Sequence, residues 1–187
     1  SRNVMEEIGD RAILVGKNES GINVKNTIVS ENHISGLRIY GTGKDAEQEA
    51  ILVYGDRAII NNNTIVDVKT AVKVGGEAIY TKCRNAIIAD NVIRDIGDGG
   101  GSIIVKGDRR GESANAPHGY GTVVRGNVLY RCHRGISIHN GDVSVESNYI
   151  DSVDETAIDI LNDELNNVSI VRNKIFNVKG RTDIRSR

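Results

Sequence analysis

The sequence predicts an all-β chain wound as a solenoid, its strands stacked in parallel. Three observations lead there. An eleven-residue segment recurs with Asn always in the sixth place, a second alternating segment follows each copy, and no copy shows a helical 3.6-residue period. The copies are "TIVSENHISGL" (27–37), "AIINNNTIVDV" (58–68), "AIIADNVIRDI" (86–96), "TVVRGNVLYRC" (122–132), "VSVESNYIDSV" (143–153) and "VSIVRNKIFNV" (168–178). Their central residues are Asn32, Asn63, Asn91, Asn127, Asn148 and Asn173.

Within each copy the third and eighth places are aliphatic, from Val29 and Ile34 to Ile170 and Ile175. A polar stretch containing the Asn lies between them. This pattern predicts two short strands joined by a sharp bend, with the aliphatic places facing inward. The following segments are "GLRIYG" (36–41), "TAVKVGG" (70–76), "GSIIVKG" (101–107), "RGISIHN" (134–140) and "TAIDIL" (156–161). These supply the next strand of each coil, giving about six to seven coils in a single domain over 1–187. "EAILVYG" (49–55) and "EAIYTKC" (77–83) precede two of the Asn repeats as additional strand-like pieces. Val, Ile and Thr suit such strands, and the one Pro is Pro117, between them.

The sixth-place Asn is read as structural. At a bend, backbone groups leave their ladder partners and need satisfying inside the coil. A stacked amide both donates and accepts, so an internal Asn ladder can do this. Asn also tolerates the left-handed conformation that a sharp bend uses. Cys132 takes the last apolar place of its copy, where others carry Val or Ile, and reads as a small buried hydrophobe.

Composition narrows the partners. With 24 basic and 25 acidic residues the net charge is −1, so no bulk attraction to nucleic acid or an anionic membrane is expected. Six Tyr, one Phe and no Trp give little material for stacking single-stranded nucleic acid. The longest wholly apolar run is "AILVY" (50–54), so no membrane insertion is expected. Two cysteines without CxxC spacing make neither a disulfide framework nor a metal motif.

The Asn-centred repeat resembles that of right-handed parallel β-helices of the pectate-lyase type, from about Arg11 to Val178. The resemblance implies right-handed coiling. It also implies a fold shared by polysaccharide lyases, hydrolases, uronate epimerases, bacteriophage tailspikes and non-catalytic repeat proteins, so activity must be argued from a site.

Outward places on the second strand line up into two expected columns. One passes Arg38, Lys73, Ser137 and Asp159; the other passes Tyr40, Lys106 and His139. Insertions at 42–49 and 107–121 flank a short coil at "GGE" (75–77), and predict a cleft across that face. Uronate lyases need a base for the proton beside a carboxylate and a cation to neutralise that carboxylate. Lys106, His139, Arg38 and Lys73 are the candidate catalytic groups for this chemistry. Tyr40, Arg109, Arg110, His118 and Tyr120 are the candidate substrate contacts. A hydrolase would need a second outward carboxylate column beside Asp159, and none is visible. Epimerases of the alginate type carry Asp-Pro-His, whereas "APHG" (116–119) has Ala116 in the Asp place. "GDGGGS" (97–102) has no following helix for a phosphate, and His133 in "RCHRG" reads as a surface turn residue.

No metal site and no cofactor are expected; acidic loop residues are where calcium could collect. The ends need caps. "NVMEEIGD" (3–10) is expected to form a short amphipathic helical plug, and "VKGRTDIRSR" (178–187) shows no cap. A homotrimer or a place within a longer chain would cover that end. The expected function is a carbohydrate-active or carbohydrate-binding β-helix acting on an extracellular acidic polysaccharide, most simply as a lyase. The alternative is a non-catalytic structural or adhesion segment, such as part of a tailspike. The expected location is extracellular or on a virion surface.

Overall fold

The computed structural model describes residues 2–9, 11–16, 24–39, 48–70, 76–106, 121–139, 142–161, 167–180 and 182–186. All elements among them are β-strands, and every pairing is parallel. A six-stranded sheet stacks Ile28–Ser30, Ile59–Asn61, Ile87–Ala89, Thr122–Arg125, Val143–Glu146 and Val168–Val171. The rest belong to a twelve-stranded sheet with two arms. Its first arm runs Val4–Glu6, His33–Ile39, Thr64–Thr70, the front of Val92–Val105, the front of Val128–Ile138, Tyr149–Val153 and Lys174–Val178. The second arm runs Ile13–Val15, Gln48–Asp56, Gly76–Arg84, the rear of the two long strands, Thr156–Ile160 and Thr182–Ser186.

The third and eighth places face inward as the alternation requires. Ile60, Ile65, Ile88, Ile93, Val124, Leu129, Val145 and Ile150 are all fully buried in one continuous core. Cys83 and Cys132 join it as free thiols. Burial pushes Cys83 up to about 12 and Cys132 to about 11, so both remain protonated packing residues.

The Asn side chains form a continuous hydrogen-bonded column. Asn63 donates Nδ2–H to Asn91 Oδ1 (3.0 Å) and to the Val29 carbonyl (2.9 Å), and its backbone N–H also reaches Asn91 Oδ1 (3.0 Å). The same pattern passes from Asn91 to Asn127, from Asn127 to Asn148 and from Asn148 to Asn173. Each internal Oδ1 thus accepts twice and each Nδ2 donates at least twice, which exhausts the amide. Asn3 extends the column, donating to Asn32 Oδ1 (2.9 Å).

Two expectations about the corners change. The ladder Asn residues do not take the left-handed conformation; the residue before each of them does, at Glu31, Asn62, Asp90, Gly126, Ser147 and Arg172. A second left-handed column follows four residues after the Asn, at Glu7, Gly36, Asp67, Asp95, Arg131, Ser152 and Asn177. The bend is made by an outward-facing neighbour, leaving the amide free to project inward and bond. The start also differs. "NVMEEIGD" forms no helical plug, because Val4–Glu6 pairs with His33–Ser35 as one more strand. Near the other end Thr182–Ser186 pairs with Thr156–Ile160, adding a strand to the second arm that the sequence reading did not assign.

Asn127→Ala would strip the acceptor from Asn91 N–H and Nδ2 and a donor from the Ile88 carbonyl, all buried. The expected loss is about 3 kcal/mol or more in chemical denaturation, with the fold otherwise retained. An unchanged midpoint would refute the structural role of this column.

Candidate functional site

The register of the second arm decides which side chains share its outer face. Ile51, Ile79, Ile103, Ile136 and Ile158 stack inward. The next residue of each strand therefore points out, giving the column Leu52, Tyr80, Ile104, Ser137 and Asp159. Leu52, Tyr80 and Ile104 make a small apolar cluster separate from the core, with Tyr54 packed against it. Ser137 and Asp159 are both buried at the polar end of this column.

Two residues further along lies a second outward column. Tyr54 is in register with Lys82. Lys106 follows by its N–H bond to the Thr81 carbonyl, and His139 by its N–H bond to the Val105 carbonyl. All four side chains are half-buried. Lys82 Nζ sits 5.6 Å from the Tyr54 ring centre and Lys106 Nζ 5.5 Å from that of Tyr80. Each ring face attracts its ammonium and limits where it can go, an interaction of about 0.5–1 kcal/mol at a partly exposed site. The result is a line of nitrogen groups, Lys82, Lys106 and His139, one per rung at about 4.8 Å, with tyrosine rings beside it.

The register brings together part of each expected column. Lys106 and His139 do stand on adjacent rungs. Of the column drawn through Arg38, Lys73, Ser137 and Asp159, Ser137 and Asp159 do stack, but Arg38 does not join them, because it is in register with Lys69 on the first arm. The reason is that both "TAVKV" and "AIYTK" alternate, and period alone cannot say which of two successive segments stacks on 103–105. The structure selects Gly76–Arg84. Tyr54, Tyr80 and Lys82 were missed for that reason; the signal was present in "EAILVYG" and "EAIYTKC", but was assigned to segments preceding the Asn repeat. Lys73, Tyr40, Arg109, Arg110, His118 and Tyr120 lie outside the described residues. So does most of the insertion at 42–49, although Gln48 and Glu49 belong to a strand and buried Glu49 pairs with Arg11 at 2.8 Å.

Arg38 has a different post. Its guanidinium bonds the Asp67 carboxylate and, at 2.9 Å, the Asp67 carbonyl, while Lys69 Nζ approaches the same carboxylate at 2.8 Å. One rung on, Arg131 grips Asp95 with two bonds of 2.6 and 2.9 Å. Both carboxylates occupy left-handed corner positions and, with Lys69, Gly97 and Arg131, line a shallow groove of about 360 Å³. His133 lies in a strand rather than at a turn, with Nε2 3.3 Å from Glu155, which Arg134 also holds at 2.6 Å. Among the described residues no three His, Cys, Asp or Glu side chains gather as a metal site.

The description of the right-handed β-helix region matches residues 12–184. The chain belongs to that family. No curated protein and no solved structure matches it. Membership in this β-helix family accounts for the parallel sheets, and leaves activity to the outer faces.

The Arg131 bonds hold Asp95 below its ordinary value of 3.8, and the Arg38 and Lys69 bonds do the same for Asp67. A lowered folded-state value means that the pairs stabilise above pH 3.8 and lose that contribution as pH falls through the depressed values. Thermal melts from pH 7 to pH 2 should show Asp95→Asn slightly less stable than the native chain at neutral pH. The difference should close below pH 4 and shrink with added salt. A gap that persists at pH 2 would mean that the Arg131–Asp95 charge pair is not its source.

Proposed function

We propose that this β-helix binds an extracellular acidic polysaccharide along the outer face of its second arm, and that Lys106 and His139 there support β-elimination. The observation that carries the reading is the rung-spaced line Lys82–Lys106–His139 beside Tyr54 and Tyr80. A polyuronate laid along the solenoid axis presents one carboxylate per sugar, so regularly spaced cations can neutralise successive groups. Half-buried Tyr54 at the same level offers an apolar face to sugar C–H surfaces, while buried Tyr80 steers Lys106. In a lyase reaction a neutral amine or imidazole takes the C5 proton beside the carboxylate and a neighbouring cation stabilises the enolate; the electron pair then forms the C4=C5 double bond as the C4–O glycosidic bond breaks, and the departing oxygen takes up a proton. Lys106 and His139, on adjacent rungs, can divide these roles, with Lys82 as a further carboxylate partner.

A non-catalytic binding or adhesion role is the second reading. It is favoured by Arg38, which is committed to Asp67 on the other arm and so does not supply the carboxylate clamp that elimination also uses. Residence on a virion or cell surface, and assembly within a larger particle, belong with either reading.

A panel of polyuronates tests both parts. Binding by isothermal titration should weaken about tenfold or more in Lys106→Ala and fall with rising salt. Lyase action should appear as ultraviolet absorbance of a new unsaturated sugar, lost in His139→Ala and in Lys106→Ala. Binding without absorbance from any polymer leaves the non-catalytic reading standing. No binding to any polyuronate removes the polysaccharide reading and leaves a structural or adhesion segment.

A further inference from the structure

We infer that the outer face of the first arm is a self-complementary interface through which two copies of this chain dock face to face in antiparallel orientation. This is independent of the polysaccharide reading, which uses the other arm.

The first arm presents two outward columns. One carries Thr64, Val92, Val128, Tyr149 and Lys174; the other carries Val66, Arg94, Tyr130, Asp151 and Phe176. Val92, Val128, Tyr130, Tyr149 and Phe176 are 36–46% exposed, an unusual concentration of large apolar groups on one flat face. Tyr149 and Phe176 already pack against each other, with ring centres 5.5 Å apart.

Arrangement, rather than apolarity alone, identifies the occupant. Take the Val128–Tyr130 rung as the centre and apply a two-fold axis along that strand. The order of rungs inverts in the partner, so each rung meets its mirror position. Val128 meets Val128 and Tyr130 meets Tyr130. On the next rungs Val92 meets Tyr149 and Arg94 meets Asp151, twice by symmetry. On the outermost, Val66 meets Phe176 and Thr64 meets Lys174. Apolar groups face apolar groups, and each charged group meets its opposite or a polar partner, as an isologous interface requires. Arg131, which would also approach its copy, is neutralised by Asp95 within its own chain.

The parallel alternative fails the same test. Around an axis parallel to the solenoid, equal rungs meet at equal height, setting Arg94 beside Arg94 and Asp151 beside Asp151. The expected homotrimer is thus disfavoured through this face. Five rungs at about 4.8 Å and five residues at about 3.3 Å cover roughly 400 Å² of flat area a side, at the low end for specific interfaces. The dimer should therefore be concentration-dependent.

Sedimentation equilibrium over a concentration series tests this. The native chain should pass from one to two chain masses. Arg94→Asp and Asp151→Arg, each placing like charges opposite twice, should each raise the dissociation constant more than about tenfold. The double reversal should restore the dimer. Arg94 is exposed and Asp151 half-exposed, where its carboxylate also accepts from Asn177, and circular dichroism melts will show that each variant folds. A monomer at every concentration, a trimer, or a dimer indifferent to the single reversals would each overturn the proposal. So would a monomeric native chain that loses polyuronate binding in Tyr130→Ser, which would give this face to a glycan instead.

Discussion

The structure depends on what happens to backbone groups at the corner between the short sheet and the first arm. A coil that turns there swings peptide groups out of the interstrand ladder and into an interior lined by Ile, Val and Leu. Burying them unpaired would cost on the order of 1–3 kcal/mol each. One amide side chain per coil resolves this, since Oδ1 takes the N–H and amide of the preceding coil while Nδ2 reaches back to a carbonyl, as Asn91 does with Ile60. The column also fixes register. Slipping one coil by a residue would take its amide out of the column and turn every inward residue outward.

From that fixed corner the rest of the cross-section follows. A left-handed residue stands immediately before each ladder Asn from Asn32 onward, and another four residues after it, so strands between corners are short and their alternation restarts at each turn. Corner residues face solvent, which is why Glu, Asp, Asn, Ser and Arg occupy them. Several then serve as anchors for neighbours one rung away, as Asp67 does for Arg38 and Asp95 for Arg131. The two outer faces are thereby given different chemistry on one scaffold. The first arm carries apolar groups and compensated charges, and the second carries half-buried lysines steered by tyrosine rings.

Much of this was legible in the residues. The repeated Asn, flanked at fixed distance by Ile60 and Ile65 or by Val124 and Leu129, specified parallel stacking because only a coil of constant cross-section returns the same residue to the same place. Three things were not legible. The left-handed position was shifted by one, since Asn62 and Asn63 are chemically alike and only the geometry separates corner from column. The opening strand Val4–Glu6 is too short to show its period, and Glu6–Glu7 suggested a helix. The second-arm register failed because two alternating segments lie between Asn63 and Asn91. The face bearing Lys82 and Lys106 emerged only when Ile79 was seen to stack on Ile103.

The central claim is that the amide column holds the coils together as one unit, and native-state hydrogen exchange examines it directly. The backbone N–H groups of Asn63, Asn91 and Asn127 each bond the next Oδ1 at 3.0 Å inside the core. They should therefore exchange only through global unfolding, sharing one opening free energy that equals the stability measured by denaturant. Rapid exchange at these three amides, or openings that differ from one rung to the next and fall well below the global value, would contradict the account.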